Sequence, residues 1–198
     1  MSTTVQDMTH PTLMLVRGLP GSGKSYLASA LTESLGKDNV LILDPDKIDL
    51  TTPEYLAFSA SLTKDGVEEK FHPYRWSRAQ AYDAIMANKI IIWNQAFTNL
   101  DGFNKTIINL QTYATDHGTQ LPLLVVEVEV GHETAKARVA EREAGGGHGV
   151  SEEAFARFIN EYRSFSDEGF TLVSVHGEDD VNASVVAVRA ALDELWKQ

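Results

Sequence analysis

Gly18-Leu19-Pro20-Gly21-Ser22-Gly23-Lys24-Ser25 is the stretch that decides how this chain reads. It satisfies G-x-x-x-x-G-K-[ST] at every fixed position, between an apolar run at 13–17 and an amphipathic one that follows. Gly18, Gly21 and Gly23 allow a tight turn whose N–H groups converge on one concavity. A helix starting near Gly23 adds its positive dipole end. In that setting Lys24 reaches the β- and γ-phosphates of a nucleoside triphosphate, and the Ser25 hydroxyl ligates Mg²⁺. Leu19, Pro20, Ser22 and Tyr26 complete the expected nucleotide contacts. Such a loop serves kinases, ATPases, GTPases and motors, so other residues must choose among them. The chain has no N-K-x-D guanine reader, and no apolar strand ends in an Asp-Glu pair.

Outward from the loop, short apolar runs alternate with amphipathic stretches. The pattern predicts strands at 13–17, 40–43, 90–93, 121–130 and 170–175. It predicts helices over 23–35, 53–61, 74–88, 100–117, 132–144, 151–164 and 181–196. Gly36 and Gly118 close two of them, and Ser151 followed by Glu152 and Glu153 opens another. The expected fold is α/β: a three-layer αβα P-loop NTPase of the kinase type, with a mainly parallel five-stranded sheet and a helical lid. Residues 1–10 read as a disordered arm and 11–198 as one domain, with the lid at 138–157.

Composition narrows the partners. The 198 residues are 43% hydrophobic and 23% charged, enough apolar surface for a core. A net charge of −11 argues against a long nucleic acid as the main partner, because phosphate tracking needs clustered Lys and Arg. The absence of cysteine excludes disulfides, Cys-based zinc sites and a thiol nucleophile, and fits a cytoplasmic protein. The polar start does not read as a secretory signal, and no apolar run approaches the ~20 residues that span a bilayer.

The second strand runs into Asp44-Pro45-Asp46, at the strand end that lines the ligand crevice in parallel sheets. In a phosphotransferase, Asp46 there acts as the base that takes the acceptor hydroxyl proton, with Asp44 on the Mg²⁺ side. The alternative is an Asx turn capping the next segment. Arg138 and Arg142 share a helical face, where like charges repel mildly unless an anion joins them. A triphosphate is such an anion, and solvated pairs with Glu141 and Glu143 are the alternative. Glycines 145, 146, 147 and 149 suit a lid that closes over phosphate and excludes water. Arg157 follows that lid and is a further phosphate candidate, whereas His148 reads as a surface histidine. Tyr74, Arg75, Trp76 and Arg78 form an aromatic–basic cluster, able either to clamp an acceptor or to pack as a helix start. Asn94 and Gln95 end the third strand, either touching acceptor or bonding to neighbours. Glu127 and Glu129 share a strand face, where they either line the crevice or form a polar strand end, the plainer reading for both.

These motifs together resemble the zeta-toxin and polynucleotide-kinase branch of the phosphate-loop kinases. The resemblance rests on the loop, the D-P-D turn, His72-Pro73-Tyr74, the strand at 90–93, and the Arg-rich helix running into Gly146-Gly147-His148-Gly149-Val150-Ser151-Glu152-Glu153. It implies ATP-dependent (or GTP-dependent) phosphorylation of a hydroxyl, with Asp46 where the family keeps its base. The implied acceptor is a small molecule or nucleotide derivative, a UDP-activated amino sugar in zeta toxins. The branch's alternative acceptor is a polynucleotide 5′-hydroxyl. A further alternative is a nucleotide switch with no acceptor. The resemblance also brings in an antitoxin-like protein partner. Zeta toxins carry Glu, Thr and Arg after the third strand, where this chain has Asn94, Ala96 and Thr98. A neutral amide and a hydroxyl do not hold a sugar nucleotide as a carboxylate and a guanidinium do.

Overall fold

The computed structural model describes residues 10–147 and 149–197. The expected arm up to residue 9 and His148 lie outside them. Five strands form one sheet, β1 (Thr12–Arg17), β2 (Val40–Leu43), β3 (Ile90–Asn94), β4 (Leu123–Glu129) and β5 (Leu172–His176). Their order is β2-β3-β1-β4-β5, and every pairing is parallel rather than mainly so.

Among the described residues there are seven α-helices, α1 (Lys24–Leu35), α2 (Pro53–Lys64), α3 (His72–Met86), α4 (Leu100–Asp116), α5 (His132–Ala144), α6 (Glu152–Glu161) and α7 (Val181–Leu195); α1 and α7 cover one face of the sheet, α3 and α4 the other. This double cover explains why β1 carries the unbroken apolar run Leu13–Val16, with all six of its residues buried. Alternate side chains serve opposite faces. Met14, Val16, Ile92 and Val126 pack under α1 and α7, while Leu13, Leu15, Ile91 and Val125 pack under α3 and α4. In α1, Leu27, Ala28, Leu31 and Leu35 supply the helical stripe that meets the first face. In α4, Phe103, Ile107, Leu110 and Ala114 meet the second. A third, small cluster of Ala135, Val139 and Phe155 joins α5 to α6.

Several boundaries differ from the periodic reading by a few residues, and two of them have a local reason. Strand β4 begins after Pro122, which has no N–H for the ladder; its carbonyl instead accepts from Leu13 N. Helix α3 begins at His72 rather than Tyr74, with Pro73 in its first turn. His72 is buried, with Nδ1 2.8 Å from Ser59 Oγ and Nε2 2.9 Å from the Val67 carbonyl, so it pins α2 to α3. Helix α2 buries only Tyr55. Among the described residues, no helix is long and apolar enough to cross a membrane.

Candidate functional site

The chain leaves the central strand β1 and turns at once into the glycine loop. Gly21 sits at φ +82°, where other residues are strained, and a Cβ there would run into the Ala135 carbonyl oxygen. At Gly18 a Cβ would stand 2.5 Å from the Val128 carbonyl oxygen. The loop is thus wrapped tightly against α5 and β4. Inside it, Lys24 Nζ donates to the carbonyls of Gly18 (2.9 Å) and Leu19 (2.8 Å). Burial pushes its pKa down to about 8, against the pull of the Asp44 and Asp46 carboxylates. Ser22 Oγ is buried and has no partner among the described residues. A desolvated cation and an unsatisfied hydroxyl in a glycine cradle fit a polyphosphate.

Ser25 opens α1 beside the end of β2. Asn94 Nδ2 donates both to Ser25 Oγ (3.0 Å) and to Asp44 Oδ2 (2.9 Å), holding the two oxygens together. Lys47 Nζ also donates to Ser25 Oγ (2.7 Å) and lies 3.5 Å from Asp44 Oδ2. Two neighbouring protein oxygens fit Mg²⁺, which prefers few protein ligands alongside phosphate and water. The Asp44 side chain also accepts from Asp46 N, so the Asx turn exists and positions both carboxylates. Asn94, expected to touch acceptor or bond its neighbours, bonds Ser25 and Asp44. Gln95 Oε1 accepts from Trp93 Nε1 at 3.1 Å.

Asp46 faces the same cleft, of about 580 Å³, as Lys24, Arg138 and Arg142. Tyr74 stands close enough that the Asp46 carboxylate adds to burial in raising its phenol pKa. Arg138 Nη1 donates to the Gly177 carbonyl at 2.9 Å, which fixes its position at the β5–α7 loop. From the stretch into and along α6, Val150, Ala154 and Phe158 line the cleft. Arg157 is exposed and lines neither this cleft nor the cavity beside it, and the same holds for Arg75.

The polar strand end read at Glu127 is corrected by the structure. Parallel register sets Arg17 opposite Glu127 on the face toward α4, and both are wholly buried as an ion pair. Arg17 also donates to the Phe97 carbonyl through Nη2 (3.0 Å) and Nε (3.3 Å). Its guanidinium lies 3.6 Å from the Phe165 ring centroid and 4.4 Å from that of Tyr162. Glu127 accepts from Ser164 Oγ (2.6 Å) and Phe165 N (2.7 Å). One buried pair therefore ties the strand before the loop to the segment after Asn94 and to the foot of α6. Glu129 is exposed, 3.8 Å from His176 Nδ1.

A second missed element is the β5–α7 loop. Gly177 packs so closely that a Cβ would overlap the Ser22 carbonyl oxygen. With Tyr26, Val128, Val175 and Val181 it bounds a small hollow beside the cradle. The usable signal was a glycine directly after the last apolar strand.

The zeta toxin family model matches residues 1–185. This chain belongs to the zeta toxin family. Over 156 residues it is 30% identical to NEDD4-binding protein 2 of Homo sapiens, a match covering 77% of this chain and 8% of that protein. The chain thus spans less than a tenth of the length of the curated relative it matches. A structure of the PezAT chromosomal toxin–antitoxin system of Streptococcus pneumoniae superposes with TM-score 0.59 at 14% identity, covering 96% of this chain and 88% of that one. A deoxyadenosine kinase from M. mycoides with bound dATP superposes with TM-score 0.53 at 18% identity, covering 91% and 99%. The zeta toxin family member described here has the P-loop kinase fold, and the family and its neighbours support a kinase-like phosphotransferase.

Proposed function

We propose that this protein transfers the γ-phosphoryl group of ATP to a hydroxyl group of a small acceptor. The observation that carries the reading is one cleft shared by the glycine cradle, Asp46 and two arginines. Lys24 and the loop N–H groups hold the triphosphate, and the Ser25 and Asp44 oxygens would hold a Mg²⁺ ion, which would supply neutralisation of phosphate charge. The acceptor oxygen attacks the γ-phosphorus, the bond to the ADP oxygen breaks, and Asp46 takes the hydroxyl proton. Arg138 and Arg142 compensate charge that develops on the transferring group. The lid glycines allow closure, which keeps water from the phosphorus. The family and the PezAT likeness bring an antitoxin-like partner chain into the same proposal.

The test incubates the full chain and γ-labelled ATP with a panel of hydroxyl acceptors, with Asp46→Asn beside it. Transfer to an acceptor, reduced by about 10²–10⁴-fold in the variant at unchanged ATP affinity, supports the reading. ATP turnover indifferent both to acceptors and to Asp46→Asn overturns it in favour of a nucleotide switch.

A further inference from the structure

Beside the phosphate cleft lies a larger cavity of about 700 Å³, open along the β2 edge between α1, α2 and α3. The two spaces share Ser25, Asp44, Lys47 and Asn94, so a molecule in the cavity presents one end to the transferring phosphate. This extends the kinase reading above and rests on it.

The cavity lining has a definite chemistry. Three carboxylates face it, Asp44, Asp49 and Glu54, against one ammonium, Lys47. Lys47 is already engaged with Ser25 and Asp44 at the phosphate end. The far end therefore carries Asp49 and Glu54 with no cation among the described residues that line it. Thr51 donates twice to Asp49 and holds its carboxyl below the usual range, so it is an anion at neutral pH. One wall is Trp76, gripped edge-on by Tyr55 (6.0 Å between centroids) and Phe58 (5.1 Å). Two lining residues bear buried polar atoms without a partner among the described residues, Ser77 Oγ and Asn94 Oδ1. Buried polar groups of this kind are normally satisfied, so they point to a hydrogen-bonding occupant.

We infer that the acceptor is a hydroxylated ring compound without phosphate, bearing an amine: an amino sugar or aminocyclitol. Its flat C–H face stacks on Trp76, its ammonium faces Asp49 and Glu54, and its hydroxyl donors reach Asn94 and Ser77. A phosphorylated acceptor, such as a sugar nucleotide or an oligonucleotide end, would bring like charge against that rim.

The experiment compares matched acceptors at saturating Mg²⁺·ATP: glucosamine and kanamycin against glucosamine 6-phosphate, UDP-N-acetylglucosamine and a 5′-hydroxyl oligonucleotide. The expected kcat/KM for glucosamine and kanamycin, which bear an amine and no phosphate, exceeds that of each phosphate-bearing acceptor by about tenfold or more, and falls as salt is raised. Glu54→Gln raises the KM for the amine-bearing acceptor about fivefold with kcat kept. Trp76→Phe, which keeps an aromatic wall, gives a second reading through KM if Glu54→Gln loosens α2. Transfer confined to phosphorylated acceptors overturns this acceptor class and leaves the kinase reading standing. No transfer to any acceptor, with ATP turnover indifferent to Asp46→Asn, overturns both.

Discussion

The two ends of the cleft are built in opposite ways. The phosphate end is over-determined: the glycine loop is pressed against α5, β4 and Gly177, and the nearest atom at Gly18, Gly21 and Gly177 is a backbone carbonyl oxygen. The acceptor end is thinly packed: α2 buries one residue, its neighbouring loops are exposed, and a large cavity separates it from α1. A fixed cradle suits a ligand that is always the same polyphosphate. On the proposed kinase reading, an open wall on α2 leaves room for acceptors of different shape beside a fixed cradle.

The comparison is broken most directly at the buried ion pair that underpins the phosphate end. Arg17→Met leaves Glu127 buried and uncompensated and is expected to cost about 3–5 kcal/mol in urea unfolding. The double variant Arg17→Met with Glu127→Leu recovers much of that loss. A single variant with wild-type stability would show that the pair does not secure the lid foot.

Glycine substitutions sharpen the contrast. Gly21→Ala meets both a positive φ and the Ala135 carbonyl, and it is expected to weaken ATP binding by about 100-fold. Gly66→Ala, at φ +75° just beyond α2, meets nothing within 4 Å and costs about 1 kcal/mol of stability with ATP affinity retained. Equal effects on ATP affinity would erase the distinction.

Lys24 gives the phosphate end a pH signature. Its pKa of about 8 means the free protein holds an ammonium below that pH and an amine above it. Phosphate binds the ammonium, so binding above pH 8 must take up a proton. Calorimetric affinity for ATP is expected to be flat below pH 7 and to fall by up to about tenfold per unit from pH 8 to 10. A flat profile across that window would mean the lysine is already charged before ligand arrives. The smallest effect belongs to the acceptor end: Thr52→Ala removes the cap to Tyr55 N and is expected to speed amide exchange in α2, at a cost of about 1 kcal/mol.

Much of this was legible in local pattern. The alternation of strands and helices, the loop and the D-P-D turn are each written within a short stretch of consecutive residues, where periodicity and turn chemistry act. What stayed hidden depends on register and approach between distant segments. Glu127 shows a strand-face carboxylate locally, but its partner Arg17 is 110 residues away and meets it only through the β1–β4 register. Gly177 carries no motif, and its fit against Ser22 exists only once β5 is docked. Asn94 was a polar strand end in the sequence; its double hydrogen bond requires α1 and β2 to converge on it.

The Arg17–Glu127 pair also bears on protein engineering. Ser164 and Phe165, at the foot of α6, are wired to a charge inside the sheet. The segment around α6, transplanted from a relative, would therefore have to arrive with its matching strand residues. Cut at the surface loops alone, it would leave Glu127 without those partners.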